Sequence, residues 1–95
     1  MNNIFDLPLN QENYKQIEKH KSEHKEQVLA YLKNGELASI GGLVTDFGTG
    51  EWTNIENLDY ENGEFYWCTS DIYHFEKYDL KLRDDFVRYV LEQSK

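Results

Sequence analysis

Glu61-Asn62-Gly63-Glu64-Phe65-Tyr66-Trp67-Cys68-Thr69-Ser70-Asp71-Ile72 contains the change of pattern that decides the fold. An Asn-Gly pair between strand-forming residues is a strong hairpin signal, because both residues accept positive φ at little cost. Phe65-Tyr66-Trp67 then reads as a strand, with Phe65 and Trp67 on one face and Tyr66 on the other. Ser70 suits a helix N-cap, and Asp71 suits the first turn, where a carboxylate meets the positive end of the helix dipole. A strand that runs directly into a helix predicts an α+β domain.

Upstream of this stretch, Gly48-Thr49-Gly50 reads as a turn and Glu51–Asn54 as the start of the strand that leads to Asn62. Leu43–Phe47 is strand-like, and Glu36–Ile40 alternates weakly. Gly41-Gly42 between them predicts a bulge or turn. A phosphate loop is a poor alternative, because no Gly-Lys-Ser/Thr follows. The middle of the chain is thus expected to be an antiparallel meander of three or four strands.

Further out, the apolar positions Tyr14, Ile17, Val28, Leu29 and Leu32 suggest helix from about 11 to 33, capped by Asn10 or Asn13 and stopped by Asn34-Gly35. Lys21 and His24 interrupt the stripe, so a helix pair broken at Ser22 competes with one continuous helix. The continuous form is favoured, with its polar middle exposed. Residues 1–9 read as an irregular arm, with Pro8 blocking helix and Ile4, Phe5, Leu7 and Leu9 free to dock. Downstream, Ile72, Phe75 and Tyr78 give a short helix ending near Asp79. Leu80 and Leu82 lie in a connector, and a last helix from about Asp84 buries Phe86, Val87, Tyr89, Val90 and Leu91. The expectation is one domain over residues 1–95: an N-terminal helix or helix pair, the meander, and two C-terminal helices. Phe65, Trp67, Ile72, Phe75 and Phe86 are its expected core.

The formal charge is −8, distributed unevenly. Residues 1–50 hold seven acids and five bases, whereas residues 51–95 hold eleven and five. No lysine or arginine occurs from Asn34 to Glu76, an interval with nine acids and eight aromatics. Nucleic acid is disfavoured as a ligand, since phosphate neutralisation needs clustered cations, and an anionic membrane is disfavoured likewise. A basic protein fits. The first residues lack the charged and apolar regions of a signal peptide, so a cytoplasmic protein is expected.

Candidate chemistry is sparse. His20 and His24 have the spacing of a helical zinc pair, but Lys21 stands where a zincin has glutamate, and no third ligand is evident. Cys68 is the single cysteine, in a segment without a cation to stabilise a thiolate, so it reads as structural and His74 as no base for it. Glu61 with Glu64, and Asp84 with Asp85, have ordinary solvent-side explanations at a turn and a helix start. No catalytic residue, metal site or cofactor is expected. Trp52 and Tyr66 are the aromatics suited to exposure, and they join Asp46, Glu51, Glu56, Asp59, Glu61 and Glu64 in an expected partner-binding face.

Phe65-Tyr66-Trp67-Cys68-Thr69-Ser70-Asp71-Ile72-Tyr73-His74-Phe75-Glu76-Lys77-Tyr78-Asp79-Leu80-Lys81-Leu82, followed by Asp85-Phe86, resembles the C-terminal part of small bacterial immunity proteins from polymorphic toxin systems. Some of these are encoded beside contact-dependent growth inhibition toxins. The resemblance covers about the last third of the chain and implies neutralisation of a basic toxin, typically a nuclease, by occlusion of its active site or an adjoining surface. The competing expectations are an acidic adaptor or regulatory domain with a non-toxin partner, and a small enzyme using clustered carboxylates.

Overall fold

The computed structural model describes residues 1–93. The fold is α+β, built on a four-stranded mixed sheet: β1 (Asn2–Asn3), β2 (Glu36–Thr45), β3 (Trp52–Glu61) and β4 (Phe65–Cys68), in the order β1-β4-β3-β2. Three α-helices accompany it: α1 (Lys25–Lys33), α2 (Thr69–Tyr78) and α3 (Asp84–Gln93). β2, β3 and β4 form the expected antiparallel meander, but β1 pairs with β4 in parallel, so the sheet is not purely antiparallel.

The β3–β4 hairpin forms where Asn62-Gly63 predicts it, with its turn one residue later than the pair suggests. Gly63 has φ +95°, whereas Asn62 keeps negative φ. Asn62 instead pairs with Phe65: its N–H donates to the Phe65 carbonyl at 3.1 Å, and its Oδ1 accepts the Glu64 and Phe65 N–H groups at 2.9 and 2.7 Å. The amide side chain thus closes the turn that its backbone was expected to make.

The long N-terminal helix is absent. Tyr14–Gln16 form a single 3₁₀ turn, and α1 starts only at Lys25, after His24. Between them the chain is extended: the His20 N–H donates to the Asp79 carbonyl and the Lys81 N–H to the Glu18 carbonyl, each at 2.7 Å. Residues 18–24 offer no apolar face to bury as helix. Backbone pairing with the connector after α2 satisfies their amides instead. Lys25 then anchors α1 on α2, its Nζ donating to the Glu76 carbonyl at 2.7 Å and to Asp79 Oδ1 at 2.6 Å. That cation sits at the C-terminus of α2, where the helix dipole favours it.

The arm at residues 1–9 is not irregular throughout. Asn2 and Asn3 pair with Phe65 and Tyr66, Ile4 and Phe5 are fully buried, and the Arg83 N–H donates to the Ile4 carbonyl at 2.9 Å. The cap of α2 also differs from expectation. Ser70 lies within the helix, and Cys68 is the N-cap; its N–H donates to Asp71 Oδ2 at 3.1 Å in a capping box. Starting the helix two residues earlier lets Thr69 and Ser70 continue the pairing with β3. The Leu58 N–H donates to Thr69 Oγ1 at 3.0 Å, and the Ser70 N–H to Asn57 Oδ1 at 3.0 Å.

Trp67 is the centre of the core. It is 1% exposed, stacks on Tyr60 at 6.2 Å, lies 5.9 Å from Phe86 and donates its indole N–H to the Leu32 carbonyl at 3.1 Å. Gly35, just past α1, is required for this approach, since a Cβ there would stand 2.5 Å from Trp67 Cζ2. Phe65, Ile72, Phe75 and Phe86 are buried around it as expected. Trp67→Ala should therefore lower stability by about 3–5 kcal/mol, most of what a domain of this size has. Urea denaturation reads this directly, and an unchanged midpoint would remove Trp67 from the core.

Candidate functional site

The long β2–β3 ribbon carries most of the residues expected to meet a partner. Its register sorts them onto two faces, because cross-strand partners share a side. Leu37 opposes Tyr60, Ile40 opposes Leu58, Leu43 opposes Glu56 and Thr45 opposes Trp52. On this first face Leu37 is 52% exposed, Ile40 70%, Leu43 45% and Trp52 76%, and Glu56 stands among them. The second face carries Ser39 opposite Asp59, Glu36 opposite Glu61, and Glu61 opposite Tyr66. Ser39 Oγ donates to Asp59 Oδ2 at 2.6 Å, and Tyr66 is 40% exposed. Glu51 and Glu64 are exposed at the two turns.

Three irregularities give the ribbon this form, the last where two residues of β2 from Leu43 to Thr45 span four of β3 from Glu56 to Trp52. Three residues of β2 from Ile40 to Leu43 span two of β3 from Leu58 to Glu56, so Gly41-Gly42 holds the expected bulge. A second bulge at Ala38 separates Leu37 from Ser39. Leu37 and Ile40 therefore lie on the same face, despite an odd spacing along the chain.

Asp46 does not belong to the surface. It is 3% exposed and accepts five donors. Oδ2 takes Tyr73 Oη at 2.6 Å and Lys77 Nζ at 2.8 Å, and Oδ1 takes Tyr78 Oη at 2.6 Å with the Gly48 and Thr49 N–H groups. Burial alone would raise its pKa; the bonds from Lys77, Tyr73 and Tyr78 outweigh that and hold the carboxyl well below the usual range. Asp46 fixes the far turn of the ribbon to α2. Sequence reasoning placed it on the binding face because a buried aspartate and a solvated one have the same letter, and its side-chain partners lie 27 to 32 positions later, beyond β3 and β4.

His74 completes the same anchor. Its Nε2 accepts the Phe47 N–H at 2.9 Å, so Nδ1 carries the proton and faces the Ser70 carbonyl at 2.7 Å. Both nitrogens are occupied, and burial pushes the imidazole pKa down. Cys68 is pushed up to about 12, first by burial and then by the nearby Asp71 carboxylate. Neither group has the lone pair or charge state of a nucleophile-and-base pair at neutral pH. His20 and His24 are both exposed, and His20 lies outside any helix, so their sequence spacing does not become a helical pair. Asp71, 4% exposed, is raised to about 6 by burial, against hydrogen bonds from Asn3 and Cys68.

The exposed row Leu37, Ile40 and Leu43 is the part that sequence reasoning missed. Its signal was a strand with apolar residues on both sides of a glycine pair, which reads equally well as core. The row faces solvent because α1 and α3 cover the sheet only around Trp67, and α2 lies at the Val44 and Asp46 side of the ribbon's far end. Compared with protein-family models, with curated proteins and with solved structures, the chain finds no match in any of the three. No helix of the described residues is long and apolar enough to cross a membrane.

The anchor makes a pH prediction. The folded pKa of His74 lies below its ordinary 6.5, so the unfolded chain binds the extra proton first. The His74 contribution is thus complete above pH 6.5 and declines as pH falls below it. Asp71, with its raised pKa, acts in the opposite direction, destabilising as pH rises through about 6. Comparison with His74→Gln, whose amide oxygen can still accept the Phe47 N–H, isolates the histidine. The stability advantage of the wild type over this variant should shrink from pH 7 to pH 5 in urea titrations, and a constant difference would rule out a neutral buried His74.

Proposed function

We propose that the chain is a protein-binding domain that captures a basic protein, and that it serves as an immunity protein. In that role it neutralises a cognate basic toxin of nuclease type by occluding the toxin's active site or an adjoining surface, within the cytoplasm. The observation that carries the binding reading is one ribbon with a solvent-facing row of Leu37, Ile40, Leu43 and Trp52, flanked by carboxylates, in a base-free interval from Asn34 to Glu76. Such a combination supplies both parts of recognition. Apolar and aromatic side chains give the desolvated centre of an interface, and like-signed charge around them steers an oppositely charged partner.

The toxin part of the reading comes from the resemblance of the last third of the chain. Its residues there cap and pack α2 and α3 and carry no chemistry of their own, which suits an inhibitor acting by occlusion. The role requires no catalytic residue and no cofactor, and the charge disfavours nucleic acid and anionic membrane as targets. Asp46 is set aside from the contact surface; Trp52 and Glu56 share a face with the added Leu37, Ile40 and Leu43, Glu51 and Glu64 stand at the turns, and Asp59, Glu61 and Tyr66, on the opposite face, contribute through the field around the ribbon.

The test uses the product of a neighbouring reading frame as the toxin, with binding kinetics at low and high salt and a growth-protection assay. Neutralising Glu51, Asp59 and Glu61 together should slow association and flatten its salt dependence, because exposed acids act mainly on encounter. Trp52→Ala should instead speed dissociation, by about thirtyfold for an anchor worth about 2 kcal/mol. Wild-type rates in both variants would move the contact to the helices. Capture of a basic protein without toxicity would replace the immunity role by that of an adaptor.

A further inference from the structure

We infer that the outer edge of β2 is a docking edge for an extended cationic segment of the partner, which joins the sheet as a fifth strand beside Glu36–Thr45. The inference rests on the binding reading above and adds its mode: backbone pairing supplies attachment, and alternate side chains supply selection.

Three observations converge on that edge. β2 is the last strand in the order β1-β4-β3-β2, so among the described residues its outward N–H and C=O groups have no ladder partner. Edge strands are commonly guarded by lysine, by proline, by bulges or by being very short. β2 runs for ten residues and holds neither lysine nor proline. Its pairing with β3 shifts register at three places, which twists the edge but sets no further strand beside it among the described residues.

The glycine pair separates two requirements. Gly41 is explained from inside, since a Cβ there would come within 3.0 Å of the Asn57 carbonyl oxygen. Gly42 is not: a Cβ would meet nothing within 4 Å. A strand glycine whose Cβ position is open leaves the sheet face clear there, so that another backbone can approach closely.

Charge selects the occupant. An added strand would lie beside Leu37, Ile40 and Leu43 on one face and near Glu36 at one end, with Glu51 and Glu56 further along the ribbon. A partner strand alternating apolar residues with lysine or arginine matches both. A second copy would bring a chain of formal charge −8 against itself, which opposes homodimerisation there.

The experiment titrates the full chain with a set of extended peptides of about twelve residues, alternating Lys or Arg with Val, Ile or Tyr, long enough to span β2. Amide hydrogen exchange locates the contact. Exchange across Glu36–Thr45 should slow by about tenfold or more, and the same peptides N-methylated along one edge should bind about tenfold more weakly or worse. Glutamate-for-lysine versions should not bind, and Ile40→Lys should abolish protection while the circular dichroism spectrum is kept. Equal binding by the methylated peptides, protection on other elements, or no protection by any peptide would overturn the inference. So would β2 protection that appears without peptide and tracks formation of a dimer. Toxin capture with protection on α3 would remove the edge and leave the proposed function. Protection of β2 by peptides, with no toxin bound, would remove the function and leave the edge.

Discussion

Five donors converge on the buried carboxylate of Asp46, and the placement of the ribbon depends on them. Beyond Leu58, β3 has no β4 beside it, and a two-stranded ribbon alone is marginal in water. Asp46 ties the far turn to Tyr73, Lys77 and Tyr78, while His74 holds the Phe47 amide and Val44 is buried nearby. A low-dielectric site strengthens each of these bonds and makes the loss of any one costly. Lys77 is half exposed, so its ion pair contributes less than its 2.8 Å separation suggests. The tyrosines and backbone amides carry the larger share.

This anchoring divides the ribbon. Near Trp67 the helices α1 and α3 lie over the face that carries Tyr60, whereas at the far end α2 takes the side of Val44 and Asp46. Sheet twist makes such a change of covered side natural, because a helix of ten residues cannot follow a strongly twisted ribbon along its whole length. What is left in solvent is the face of Leu37, Ile40, Leu43 and Trp52. The exposed row is therefore a consequence of how the core is distributed, and it persists as long as the Asp46 anchor does.

The legible parts of the fold were those with local causes. Gly63 announced the hairpin, Gly41-Gly42 the bulge, Asn34-Gly35 the end of α1, and the aromatic strand its own burial. The illegible parts had distant causes. Residues 18–24 became extended because a connector some sixty positions later was available for pairing, and the arm became strand because β4 offered its edge. At the candidate surface, Trp52 and Tyr66 were recognised as exposed, since both stand beside turns or opposite core residues. Asp46 was misplaced because its donors come from another element, and Leu37, Ile40 and Leu43 were overlooked because burial depends on which side the helices choose.

The parallel pairing of β1 has a bearing on how the chain is born. Asn3 Nδ2 reaches Asp71 across 68 positions of sequence, and the Ile4 carbonyl waits for the Arg83 amide. Residues 2–5 thus find their places only once the segment around residues 71–83 is present. Ile4 and Phe5, both apolar and fully buried in the finished fold, stay exposed until that segment is available. Docking of β1 depends on sequence-distant partners, so it closes the fold over a core that the intervening chain has already begun to assemble.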